Sequence, residues 1–175
     1  MLFRSSAFMI ADGLVVTNAH VVSGRKLGDR LLLSSQKRNS HWAQIVGISP
    51  RMDLAVLRVS ADFLPVAPYK NARQVRGTSV YAVGVAANSA HPGLRYVVSG
   101  QISSGETVIE PFGSGVIARM PGIKRGFSGG PVFDQRGNAV GMIAALRDAR
   151  NYHPRDAFIL SIKEVRAEVG RLLAW

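Results

Sequence analysis

Residues 126–134 read "GFSGGPVFD", and the residues just after the serine decide the fold. After Ser128 come two glycines and the run "PVF", which is a strand signal and not a helical one. Next, "DQRGN" places turn residues between this run and "AVGMIAAL" (139–146), so the serine leads into a β-hairpin. Such a serine has two readings. The plain one is a glycine-rich turn. The sharper one is a nucleophile loop, because glycines let the backbone approach a substrate and turn its N–H groups inward, where they stabilise an oxyanion.

Strand signals recur on both sides of this stretch: "AFMIA", "LVVTNAHVV", "RLLLSS", "WAQIVGIS", "LAVLRVS", "SVYAVGVA", "RYVVSGQIS", "GVIARM" and "AFILSI". Most are bounded by Gly, Asp, Asn, Pro or Ser, which punctuate turns. The tail alone reads as helix. From Ser161, a plausible N-cap, Ile162, Val165, Val169, Leu172 and Leu173 fall on one face at helical spacing. Many short strands with one helix predict an all-β sandwich or pair of barrels. Between them "SADFLPVAPYKNARQVRG" (60–77) has two prolines, several charges and no clear periodicity, and reads as a linker. The expected division is an N-terminal barrel over 1–62, a connection over 63–77, and a C-terminal barrel with the helix over 78–175.

Bulk composition agrees with a folded β-protein. The chain has 175 residues, 47% hydrophobic and 19% charged, enough to bury a core. Its 22 Lys and Arg against 11 Asp and Glu give a net charge of +11, which attracts polyanions. The positive charge is scattered over "SGRKLGDR", "QKRNS" and "RDARNYHPR", which read as solvated loops, so no specific nucleic-acid partner is expected. There is no cysteine, which removes disulfides, thiol catalysis and cysteine-based zinc sites. His41, His91 and His153 lack metal-ligand spacing, so neither metal nor cofactor is expected. No apolar run is long enough to span a bilayer, and "MLFRSSAFMIADG" is too broken by polar residues for a signal-peptide core.

A serine nucleophile needs a base, and the base needs an orienting carboxylate. "VVTNAHVV" (15–22) offers His20, and "SPRMDLAVLRV" (49–59) offers Asp53 at the head of an apolar strand. Each has a bland reading: a satisfied core histidine and a solvated strand-end acid. The α/β-hydrolase elbow shares Gly-x-Ser-x-Gly, but there a helix succeeds the serine, with the acid and then the histidine downstream. Here the order is His20, Asp53, Ser128, that of the chymotrypsin-type triad.

"SAFMIADGLVVTNAHVV", "VGISPRMDLAVLRV", "LPVAPYKNARQVRGTSVYAVG" and "RGFSGGPVFDQRGNAVGMIAA" together resemble the trypsin-like serine proteases of the HtrA/Deg group, and "AFILSIKEVRAEV" resembles the end of their protease domain. The resemblance covers nearly the whole chain. It implies two antiparallel β-barrels with the catalytic crevice between them. It implies Ser128 as nucleophile, His20 as general base and then acid, and Asp53 as orienting carboxylate, with the N–H groups of Gly126 and Ser128, helped by Phe127, as the oxyanion hole. It also implies polypeptide substrates and a periplasmic or secreted setting, and leaves the oligomeric state undetermined.

Four departures from the family pattern stand out. No peptide-docking domain comes after the helix, and the chain starts at the family's second strand, so a first barrel lacking one strand is expected. Phe127 replaces the usual asparagine before the serine. It is either a hydrophobic brace under the loop or the residue that holds the loop in an inactive turn. "ARMPGIKRGFS" (118–128) replaces a polar segment beside the specificity pocket, and no acid stands at Gly122. Gly122 and Ile123, with Ile143, Ala144, Ala145 and Leu146 as the substrate-pairing strand, imply a small to medium aliphatic P1 residue, with an acidic one as the alternative that Lys124 and Arg125 leave open. Two other functions compete: a catalytically weak relative that binds extended peptides, and a basic polyanion-binding module.

Overall fold

The computed structural model describes residues 5–35, 40–71, 73–87, 89–91, 94–146 and 155–174. The N-terminal strands are β1 (Phe8–Ala11), β2 (Leu14–Thr17), β3 (Arg30–Ser34), β4 (Ser40–Ile48) and β5 (Ala55–Arg58). They form one antiparallel sheet in the order β1-β2-β5-β4-β3. Apolar alternation sets its registers. Val16 opposes Val56 and Ile45 opposes Leu57, each pair buried, so a one-residue slip would turn the core face to solvent. β1 and β3 are its two edges. A groove of about 780 Å³ opens here, and Ala7, Met9, Leu33, Phe63 and Leu64 are among its lining residues.

The second half closes. β6 (Ser79–Val85), β7 (Arg95–Ile102), β8 (Thr107–Ile109), β9 (Gly113–Arg119), β10 (Pro131–Phe133), β11 (Ala139–Leu146) and β12 (Asp156–Ser161) run β12-β11-β10-β6-β7-β9-β8. A further β12–β9 pairing joins the ends into a six-stranded barrel, with β8 outside it on β9. Closure brings backbones close. A Cβ on Gly115 of β9 would fall on the Ile159 carbonyl of β12, and one on Gly141 of β11 would meet Ile159 and the Leu160 carbonyl. A glycine at each crossing is therefore a steric requirement. Together these sheets, a closed barrel and a second five-stranded sheet, are the expected all-β, chymotrypsin-like arrangement.

Helix α1 (Ile162–Leu173) packs on β11, β12 and β4. Ile162, Val165 and Val169 are buried as its spacing predicted, but Glu168 is buried with them at 1% exposure. Ser49 Oγ donates to Glu168 Oε1 at 2.6 Å, and Arg51 and Arg171 donate to Oε2, each at 2.8 Å. Ser161 begins the helix without a side-chain capping bond. Phe8, Val16 and Val56 of the first sheet and Leu54 just before β5 share one core with Met142, Phe158 and Leu160 of the barrel and Val165 of the helix.

Two local readings need correction. "LVVTNAHVV" is a strand only through Thr17; after Asn18 the chain turns into a short 3-10 helix, Ala19–Val22. β8 has no counterpart among the predicted strands, since three residues give too short an alternation to stand out. The segment read as a linker is stitched at its centre to both halves: Ala67 N–H to Met9 C=O, Ala139 N–H to Pro68 C=O, and Lys70 N–H to Ala139 C=O. Among the described residues no helix is long and apolar enough to cross a membrane.

Candidate active site

β2 delivers His20. Its last residue, Thr17, is buried; Asn18 is buried behind it, and the 3-10 turn then lifts His20 to the surface with its side chain about half exposed (49%). Asp53 lies in the turn that leads into β5 and is 7% exposed. Both carboxylate oxygens face the histidine. Oδ1 accepts the His20 backbone N–H at 2.9 Å, and Oδ2 lies 2.7 Å from Nδ1. A carboxylate accepts, so Nδ1 carries a proton, and in the neutral imidazole the lone pair is on Nε2.

Asp53 is itself held. Asn18 Nδ2 donates to its carbonyl at 2.9 Å, and its own N–H donates to Phe112 C=O at 3.0 Å. The N–H groups of Arg51 and Met52 both donate to Ser49 Oγ, which folds the turn, and Ser49 is the residue bonded to Glu168. The helix thus anchors the loop that carries the acid. The Oδ1 atom of Asn18 is buried without a hydrogen-bond partner.

Ser128 is half-buried, on the loop entering β10. Gly129, at φ +83°, presses its backbone against Thr17 Oγ1 and the Ser6 carbonyl, so a side chain there would separate the serine loop from the strand that supplies the histidine. His20 and Asp53 are bonded to each other. The hydrogen bond from Ser128 Oγ to the imidazole, which proton abstraction requires, is not formed among the described residues. Such bonds are commonly long without substrate and tighten when it binds.

Every carbonyl of the loop is engaged. Ala87 N–H donates to Arg125 C=O at 2.8 Å, Ser6 Oγ to Gly126 C=O at 2.7 Å, Gly130 N–H to Phe127 C=O at 2.8 Å, and Ser6 N–H to Ser128 C=O at 2.9 Å. The Gly126 and Ser128 N–H groups, by contrast, donate to no backbone carbonyl among the described residues. Phe127 differs from them. Its N–H turns to Lys124 C=O at 3.3 Å, so it is engaged away from any hole, and its ring is completely buried. A Cβ on Gly84 of β6 would lie 2.8 Å from that ring, so Gly84 makes the room that Phe127 fills.

Of the residues expected to meet substrate, Gly122 is exposed and Ile123 is half-buried against the barrel core. Ile143 and Ala144 have no exposed surface, and Ala145 is half-buried. The Leu146 side chain lies outside the described residues, as does His153. β10 covers β11 only through Met142, whereas β12 pairs with it as far as Leu146. One backbone edge of residues 144–146 therefore has no strand partner among the described residues. Among the described residues no group of His, Cys, Asp and Glu could hold a metal. Ser6, Asn18 and Gly84 carry no signal in the sequence; each acts through a contact with residues distant in the chain, which leaves no local pattern.

A trypsin-like peptidase domain matches residues 5–142. A probable periplasmic serine endoprotease, DegP-like, of Pseudomonas putida is 33% identical over 141 residues, covering 78% of this chain and 28% of that protein. The serine endoprotease DegS of Haemophilus influenzae is 31% identical over 79% of this chain and 40% of its own length. The chain thus spans well under half the length of these relatives. Among solved structures, the HtrA-type protease AlgW with a decapeptide superposes with a TM-score of 0.81 at 24% identity, over 97% of this chain and 51% of that one. The serine endoprotease from Yersinia pestis superposes at 0.75 with 23% identity, over 97% of this chain and 57% of that one. By its matched domain and its DegP- and DegS-type relatives, the chain belongs to the trypsin-like peptidase family.

Proposed function

We propose that this chain is a serine endopeptidase working through an acyl-enzyme. Ser128 Oγ attacks the scissile carbonyl carbon while His20 Nε2 removes its proton; the protonated imidazole then gives that proton to the leaving amine. Water, deprotonated by the same nitrogen, releases the acyl group. Asp53 keeps the imidazole in the tautomer this requires, and the N–H groups of Gly126 and Ser128 receive the developing oxyanion. The observation that supports this best is the imidazole held at both its backbone and Nδ1 by one buried carboxylate. A solvated strand-end acid would not be arranged so.

Substrate is read as an extended strand along the open edge of residues 144–146, with its P1 side chain toward Gly122 and Ile123. No acid lies at Gly122, so the chain prefers a small to medium aliphatic residue over Lys or Arg. The relatives' description as periplasmic extends to this chain as part of the same reading. Labelling with a fluorophosphonate tests the function. The wild-type chain should be labelled at Ser128, and Ser128→Ala should not; hydrolysis of a peptide library should fall by on the order of a millionfold in the variant. A Ser128→Ala variant within tenfold of wild type would sink the assignment. Binding of peptides without labelling would instead identify a peptide-binding relative.

A further inference from the structure

Ser6 precedes β1 and belongs by sequence to the half that carries His20, yet its bonds reach into the loop that carries Ser128. We propose that Ser6 is a positioning residue for the oxyanion loop: its hydroxyl and its backbone N–H set two of the loop's four peptide planes. The inference rests on the peptidase reading and assigns its geometry to a residue outside the triad.

In a trans peptide the C=O and N–H point in opposite directions, so fixing a carbonyl fixes where the N–H of that plane points. Two of the four loop carbonyls are held by backbone N–H groups of the C-terminal half, those of Ala87 and Gly130. The other two, Gly126 and Ser128, are held by Ser6. Between them lies the Phe127–Ser128 plane, whose N–H is one of the two proposed oxyanion donors. Ser6 therefore clamps the planes on either side of it.

The direction of the hydroxyl bond is determined by its neighbours. Val85 N–H donates to Ser6 Oγ at 3.0 Å and takes an oxygen lone pair. The hydroxyl has a single proton, which goes to Gly126 C=O 2.7 Å away, an atom that can only accept. Ser6 C=O in turn accepts from Thr17 Oγ1 at 2.9 Å, and Thr17 stands just before the turn that carries His20. One residue so links the loop of the nucleophile to the strand of the base. The site is tight: Ser6 is 8% exposed, and a Cβ on Gly84 would come within 2.9 Å of its Oγ.

Removing the hydroxyl leaves the Gly126–Phe127 plane held by the longer bond from Phe127 N–H to Lys124 C=O, 3.3 Å. The test compares Ser6→Ala with wild type per active site titrated by fluorophosphonate, so that misfolded protein is not counted. Deleting an oxyanion donor outright costs on the order of 100- to 1,000-fold in kcat. Loosening one indirectly should cost roughly 10- to 100-fold in kcat, with KM within about threefold. A peptide boronate, whose tetrahedral adduct puts an oxygen in the hole, should lose affinity by the same factor. The cleaved product peptide, which makes the ground-state contacts alone, should bind unchanged. If Ser6→Ala does not fold, Ser6→Cys, which keeps a weak donor, should give an intermediate loss with the same split. Unchanged kcat per site, or equal losses for boronate and product, would overturn the proposal. If wild type takes neither fluorophosphonate nor boronate, the peptidase reading falls and this inference goes with it, a result plainly different from a defect confined to Ser6 variants.

Discussion

The barrel of β6, β7 and β9–β12 closes on itself; among the described residues the sheet of β1–β5 does not. The two halves are therefore held together by different means. The barrel is held from within, by backbones that cross at distances only glycine permits and by a ring, Phe127, that fills the space Gly84 leaves. The open sheet is held from outside. The stretch around Ala67 binds its β1 edge, and the helix lies on β4 and grips the Asp53 turn through Glu168. Substitutions in the barrel should be sharply destabilising, and those in the open sheet graded.

The largest effect should come from Phe127→Ala. The ring has no exposed surface, and a deletion of this kind costs about 3–5 kcal/mol. Phe127→Asn should also lower kcat/KM per titrated site, because the small amide leaves most of the pocket empty; a gain in activity would show that the ring holds the loop in an unproductive turn. Gly115→Ala should rank next, at about 3 kcal/mol, the upper end of overpacking costs, since the added methyl meets backbone that cannot move without opening the β9–β12 seam. Urea unfolding measures both. A Gly115→Ala loss below about 1 kcal/mol, well under that overpacking range, would mean that the seam has slack and the contrast between the halves is false.

Glu168→Gln sharpens the comparison from the other side. Burial by itself pushes the Glu168 pKa up, but the hydrogen bonds from Ser49 and Arg171 and the charges of Arg171 and Arg51 outweigh it, and the net pKa lies below the ordinary glutamate value. A lowered pKa in the folded state stabilises the fold above the unfolded-state pKa, about 4.3, and the benefit is lost as pH falls through the lower folded value. Both arginines are about half exposed, which discounts the pairing, so the substitution should cost about 1–2 kcal/mol at neutral pH. The difference between wild type and variant should shrink below about pH 4, tracking that same unfolded-state pKa. A difference independent of pH would mean that Glu168 acts by packing alone. The smallest effect belongs to the exposed face of the open sheet. Trp42→Ala removes a cross-strand pair with Leu32 and a stacking contact with Arg30, and should cost less than about 1 kcal/mol.

Much of this is legible from residues in order. Alternating apolar runs mark the strands, and a strand after Ser128 separates this fold from one in which a helix takes that place. The positions of His20 and Asp53 can be read because each lies beside a run whose burial is predictable. What cannot be read depends on which distant backbones meet. Nothing in "SSAF" signals that Ser6 will bond two carbonyls more than a hundred residues away, and nothing in a helix pattern separates a buried Glu168 from a solvated one. Phe127 is ambiguous in the sequence for the same reason: the space its ring fills is made by Gly84, on another strand.

The stitched stretch around residues 67–70 bears on how the molecule comes apart. Its amides are tied to Met9 in one sheet and Ala139 in the other, and the core beneath draws on both sheets and the helix. Neither half can loosen without tearing this seam. Heat or denaturant should therefore melt the chain in a single cooperative step, and the amide protons of Ala67 and Ala139 should exchange with solvent only through global opening. The histidine and the serine, supplied by separate sheets, are then lost together, and no half-folded form retains one without the other.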